Sequence, residues 1–197
     1  MRRRRSGERE RSRPSSSPPK DRAAPAASRE AFHGRYLRLE IETWPNGDWE
    51  IVRHPGACAV VAITADEDIL LVRQFRPALR VSTLEVPAGL LDVEGESPRD
   101  CAVRELVEET GHEARNARSL GSFLTSPGMT DERFHLYRAD AAPIPGNVGE
   151  EGIEIVRTPF ARAVEQAVSG ELQDVKTVLA ILLAAREDGW RHRAERR

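Results

Sequence analysis

Between Gly89 and Gly111 the chain reads GLLDVEGESPRDCAVRELVEETG, and this stretch constrains the fold more than any other. Ser97 can cap the free backbone N–H groups of a helix start, and Pro98 suits the first helical position, where a missing N–H costs nothing. Asp100 stands three residues after the cap, as the acid of a capping box does. Gly111 suits the left-handed residue that closes a helix. The spacing therefore predicts a helix of about four turns. At about 100° per residue, Ala102, Val103, Leu106, Val107 and Thr110 share one arc, and Glu105, Glu108 and Glu109 share the next. Glu96, just before the helix, can bend toward the same acidic face.

That face has two readings. Exposed to water, like-charge pairs at this spacing cost only about 0.2–0.5 kcal/mol each, and the face is a solvated one. Half-buried, with charges about 5 Å apart at an effective dielectric near 20, each pair costs about 3 kcal/mol, and the cleft needs a cation. Hard carboxylate oxygens select Mg²⁺, Mn²⁺ or Ca²⁺ over soft-ligand metals. The helix alone does not choose between them.

The whole stretch resembles the signature box of the Nudix hydrolases: glycine, spacer, glutamate, seven residues, Arg-Glu, an aliphatic, any residue, Glu-Glu, any residue, glycine, an aliphatic. Gly89, Glu96, Arg104, Glu105, Leu106, Glu108, Glu109 and Gly111 match. The first spacer is one residue longer than usual, and His112 stands at the last aliphatic position; neither departure touches an acid. The resemblance implies an α/β/α sandwich with a mixed β-sheet, here preceded by an N-terminal β-hairpin region. It implies Mg²⁺, with Mn²⁺ as a substitute, and attack of water on a pyrophosphate phosphorus. Glu105 and Glu109 would be the core metal ligands, Glu108 a ligand to a further metal with a catalytic role, and Glu96 a supporting ligand. Arg104 would orient a glutamate by a charge-assisted hydrogen bond.

Residues outside the box resemble the ADP-ribose pyrophosphatase branch. Leu84 to Gly89 runs LEVPAG into the box, residues 70–77 read LLVRQFRP, and residues 125–132 read TSPGMTDE, with Pro127 sixteen positions after Gly111. By that likeness Ala88 offers its backbone carbonyl to a metal. Glu132 activates or orients the attacking water. Arg76 contacts the phosphates or terminal ribose, Glu85 lines the substrate side of the cleft, and Pro127 and Met129 lie on the substrate loop. In this branch an N-terminal β region exchanges with a partner subunit to give a homodimer, and an aromatic residue there, Trp44 or Trp49, stacks on adenine. The expected reaction is hydrolysis of ADP-ribose to AMP and ribose 5-phosphate. Rival expectations are another NDP-sugar such as GDP-mannose, a dinucleotide, a non-catalytic ADP-ribose sensor, or RNA decapping helped by the basic tail.

Composition bounds the rest. The 197 residues suit one domain and a tail. Residues 1–30 hold nine Arg, one Lys and four acids, a net of +6, which leaves −8 for the remainder of a chain whose total is −2. That Arg/Ser/Pro-rich stretch lacks apolar periodicity and is expected to be disordered rather than a nucleic-acid arm. The expected division is 1–30 tail, 31–56 β region for dimerisation, 57–190 catalytic domain and 191–197 basic C-terminal tail. No apolar run approaches the roughly 20 residues of a membrane span. Cys58 and Cys101 suggest neither a metal spacing nor a disulfide framework, so a reducing cytoplasm is expected. His33, His54, His112, His135 and His192 show no ligand pattern and are read as structural or exposed. Strands are expected at 36–44, 49–53, 57–64, 68–75, 83–86, 119–124, 133–138 and 153–157, with later helices at 160–169 and 175–185. The only lysines are Lys20 and Lys176.

Overall fold

In a computed structural model of the chain, residues 24–187 and Gly189 are described. Most of the expected tail, the segment 191–197 and His192 lie outside these residues. The core is organised by β4 (Ala57–Thr64), an apolar run buried on both faces. Its side chains alternate. Cys58, Val60 and Ala62 meet Cys101, Ala102 and Leu106 of α1 (Pro98–Thr110). Ala59 and Val61 face Ala163 and Val164 of α2 (Phe160–Ser169) and Ala180 and Ile181 of α3 (Val175–Glu187). One period-2 strand thus sets a helix on each side of the sheet, which is the expected α/β/α sandwich.

The large sheet runs β10 (Glu154–Pro159), β5 (Asp68–Arg76), β4, β9 (Arg133–Pro143), β8 (His112–Leu124). β6 (Val81–Glu85) pairs with β5, and β7 (Ala88–Leu90) pairs with β4. The β4–β9 pair is parallel and the other pairs are antiparallel, so the sheet is mixed as expected. β4 and β5 are registered only at Ile63–Ile69. Below that point they part, and Pro87 and β7 take the vacated edge, with the Val60 N–H donating to Pro87 O at 3.0 Å. The parting carries Ala88 and Gly89 into the middle of the sheet, beside α1.

α1 starts and stops as its sequence predicts. The Ser97 hydroxyl accepts the Asp100 N–H at 3.1 Å, Pro98 opens the helix, and Gly111 closes it at φ 66°. The buried arc is rotated from expectation, however. Val103 and Val107 are only half-buried, while Cys101 and Glu109 are buried. The reason is contact with β7 and β4, which lie on the Cys101–Glu105–Glu109 side. There Cys58 is disulfide-bonded to Cys101, with the Cα atoms 6.4 Å apart, against the expectation of no disulfide. The pair is 43 residues apart and adjoins only across the core, so spacing carried no sign of it. β8 also begins at His112, well before the expected strand at 119, because its first residues are largely polar and show no apolar alternation.

The N-terminal region is a three-stranded antiparallel sheet rather than a hairpin alone: β1 (Ala27–His33), β2 (Arg38–Trp44) and β3 (Gly47–Arg53). β1 begins inside the expected tail. All seven of its residues are exposed, so no burial pattern marks it in the sequence. The sheet is fastened to the body at Val52, whose N–H donates to Met129 O at 2.8 Å and which bridges Thr130 in parallel.

Gly111 also touches the next loop: a Cβ there would lie 2.5 Å from Asn147 O, at a backbone angle that L-residues avoid. Gly111→Ala is expected to lower stability by about 2 kcal/mol, read from urea unfolding, because strain and clash act together.

Candidate active site

The three helix acids sit in graded surroundings. Glu109 is 5% exposed, Glu105 is half-buried, and the Glu108 side chain is 53% exposed. Arg104 gathers the rest. Its guanidinium binds both oxygens of Glu96, at 2.8 and 3.0 Å, and donates to Glu105 at 2.7 Å and Glu108 at 3.0 Å. These bonds hold the Glu96 carboxyl below the usual range. Burial pushes Glu105 up even with Arg104 beside it. Glu109 is raised furthest, to about 7: burial is the main cause, the charges of Glu105 and Glu150 add to it, and the Ala88 N–H and Arg76 oppose it.

Ala88 meets this face through its N–H, which donates to Glu109 Oε2 at 3.1 Å. Gly89 is required by proximity: a Cβ there would lie 1.9 Å from Glu105 Oε1. Among the described residues, no three His, Cys, Asp or Glu side chains converge as a ready-made metal cage. Arg104 holds three of the expected ligands instead. The donor set nevertheless fits a hard divalent cation, being all carboxylate oxygen, and burial leaves Glu105 and Glu109 short of the positive charge that would favour their ionised forms.

Beside these acids lies a cavity of about 400 Å³, whose wall includes Arg76, Ala88, Gly89, Thr125, Glu132 and Lys176. Glu85 was expected to line it but is 2% exposed beneath it. Its oxygens accept from Arg76 at 2.7 and 2.6 Å, from Lys176 at 2.5 Å and from Thr83 at 2.6 Å. Burial alone would raise the Glu85 pKa; Arg76, Lys176 and Thr83 overcome this and bring it down to about 2. Glu85 therefore anchors two cations that face the cavity. Lys176 is placed by the start of α3, where Asp174 caps the helix by accepting the Thr177 N–H at 3.0 Å. The Thr177 hydroxyl in turn accepts the Val86 N–H at 2.9 Å.

A second cavity, of about 710 Å³, adjoins the first across residues 124–133, and Trp44, Trp49, Pro127 and Met129 line it. Structure thus divides the expected residues into three groups: the acids around Arg104, the cation-bearing cavity with Glu132, and the aromatic cavity. Sequence reasoning missed Lys176, Asp174, Thr125, His54 and Glu150. Only Lys176 carried a signal, as one of two lysines in an Arg-dominated chain.

A mixed-sheet α/β/α sandwich with a glycine-flanked acidic helix on its split sheet is the architecture that the Nudix resemblance implied. The chain belongs to the Nudix family, whose domain profile, described as NUDIX domain, matches residues 52–177. It is 39% identical to a methanol dehydrogenase activator of Bacillus methanolicus, over 82% of this chain and 92% of that one. It is 38% identical to an ADP-ribose pyrophosphatase of Bacillus subtilis, over 79% and 88%. A GDP-mannose pyrophosphatase of Salmonella paratyphi B is 36% identical, over 76% and 79%. A solved structure described as an ADP compounds hydrolase superposes with a TM-score of 0.69 at 22% identity, covering 89% of this chain and all of that one. Its fold is the one seen here. Family membership brings with it a divalent-metal cofactor and a small-molecule substrate. No helix among the described residues is long and apolar enough to cross a membrane.

Two outcomes follow from this geometry. Gly89→Ala must displace Glu105, so kcat is expected to fall about a hundredfold while the circular dichroism spectrum is retained. Glu85→Gln removes one partner of a buried charge cluster. Because its folded pKa of about 2 lies below the ordinary 4.5, Glu85 stabilises fully above about pH 4.5 and loses that contribution as pH falls toward 2. The variant should be about 3 kcal/mol less stable at pH 7 in urea unfolding, and the gap should close between those two pH values.

Proposed function

We propose that this chain hydrolyses the diphosphate bond of ADP-ribose to AMP and ribose 5-phosphate, with Mg²⁺ as its cofactor and Mn²⁺ as a substitute. The observation that carries the proposal is the apposition of Glu105 and Glu109 to a cavity walled by Arg76 and Lys176. Acids for a cation thus face cations for phosphates. The B. subtilis relative and the aromatic second cavity support the choice of an adenine nucleotide.

Glu105 and Glu109 would hold the metal, with Glu96, Glu108 and the Ala88 backbone as further ligands. A cation bound there would supply charge to offset the diphosphate and would lower the pKa of a water. Arg104 keeps the carboxylates in register. Arg76 and Lys176 bind the phosphates, fixed in place by Glu85. Trp44, Trp49, Pro127 and Met129 form the base-binding wall. Water adds to one phosphorus, a carboxylate acting as base takes its proton, and the bridging P–O bond breaks with its oxygen kept by the departing phosphate. Glu132, on the cavity wall, is the first candidate for that base. Glu150 is the second, since its charge reaches Glu109 and Gly149 packs on the Glu109 backbone.

A homodimer belongs to the same reading. A three-stranded sheet with a fully exposed outer strand and exposed Phe32, Tyr36 and Leu37 buries little by itself, and a second copy would cover it. A cytoplasmic location does too; there the Cys58–Cys101 bond would be shielded by complete burial of both residues. GDP-mannose is the second substrate reading, favoured by the Salmonella relative.

Product chromatography of ADP-ribose and GDP-mannose digests, with and without Mg²⁺, separates these readings. ADP-ribose should be preferred and metal-dependent; preference for GDP-mannose overturns the substrate assignment. Glu109→Gln should lower kcat about a thousandfold, and intact turnover would end the metal assignment. Between Glu132→Gln and Glu150→Gln, the larger loss in kcat marks the proton acceptor.

A further inference from the structure

We propose that His54 is a positioning residue for Glu132. It stands in the turn from β3 to β4 and lines the same cavity as Glu132. Its Nδ1 accepts the Gly56 N–H at 3.0 Å, so the neutral ring carries its proton on Nε2. That nitrogen faces Glu132 Oε1 at 3.8 Å, while the Thr125 hydroxyl donates to Oε2 at 2.9 Å. Thr125 thus holds one carboxylate oxygen by a hydrogen bond, and His54 Nε2 faces the other from just beyond hydrogen-bond distance.

The turn also grips both neighbours of Glu132. The His54 N–H donates to Asp131 Oδ1 at 3.0 Å. Gly56, at φ 93°, lies so close to Arg133 that a Cβ would come within 3.1 Å of its carbonyl oxygen. Arg53, one residue earlier, binds Asp131 at 3.3 Å as well as Glu40 and Glu42 of β2. The orientation of Glu132 is therefore set by the junction between the N-terminal sheet and the body. His54 is the part of that junction that points into the cavity.

The inference rests on a working role for Glu132, and the variants keep the two apart. Asn at position 54 can still accept the Gly56 N–H, as Asx side chains do two residues on, but cannot reach Glu132. His54→Asn should therefore retain the wild-type melting temperature yet lose kcat on ADP-ribose about tenfold, with KM little changed. In Glu132→Gln the same change should have almost no further effect, because its target is gone. Wild-type kcat in His54→Asn, or a full additional loss in the double variant, overturns the proposal. Full activity of Glu132→Gln overturns both the role of Glu132 and the inference built on it. A second readout needs no substrate. In ¹⁵N spectra of the full chain, His54 should be the Nε2-protonated tautomer, and its Nε2 resonance should move in Glu132→Gln. An unmoved resonance overturns the contact whatever the enzyme hydrolyses.

Discussion

Like charges forced together at the edge of a hydrophobic core are the constraint on which this molecule is built. Glu105 and Glu109 are one turn apart on a helix whose inner side is packed against β4 and β7, so neither can retreat to solvent. Arg104 relieves the outer part of the cluster by binding Glu96, Glu105 and Glu108 together. It makes no hydrogen bond to Glu109, which accepts the Ala88 N–H and whose pKa burial lifts to about 7 against that bond. A carboxyl held short of its ionised form is an unstable element in a structural core. Positive charge brought beside it would restore the ionised form.

The opposite sign of charge is managed by the opposite device. Arg76 and Lys176 would repel each other across a small cavity, and Glu85 beneath them removes the repulsion while leaving them at the wall. Glu85 itself is fixed by the sheet. It ends β6, paired with Val72 of β5, and the adjoining Val86 is tied to Thr177 of α3. The parting of β4 from β5 thus does two things at once. It admits β7, which brings Gly89 against Glu105, and it makes room for a cavity between the acidic helix and the cationic pair. Fold and site are consequences of the same gap in one sheet.

Much of this was legible in the residues. Ser97, Pro98 and Gly111 are local signals whose physics does not depend on the rest of the chain, and α1 obeys them. The expected strands at 57–64 and 68–75 likewise survive, because burial on two faces is written in their apolar runs. What could not be read is whatever depends on long-range meeting. Cys58 and Cys101, His54 and Glu132, and Lys176 and Glu85 each join residues tens of positions apart, and no periodicity relates them. β1 escaped notice for a different reason. Strand signals in a sequence are burial signals, and a strand exposed throughout emits none.

The junction at residues 52–56 shows why an exposed sheet so lightly attached matters to the chemistry. Val52, Arg53, His54 and Gly56 each contact the segment 129–133 by a different means: a strand bridge, an ion pair, a side chain facing Glu132 and a close backbone approach. That segment separates the aromatic cavity from the cationic one and supplies wall to both. Any displacement of the N-terminal sheet is therefore transmitted to Glu132 and to Met129 together. The shapes of the larger cavity, at Met129, and of the smaller one, at Glu132, are then coupled. A second copy that seats on the exposed sheet would act on both through the same four residues.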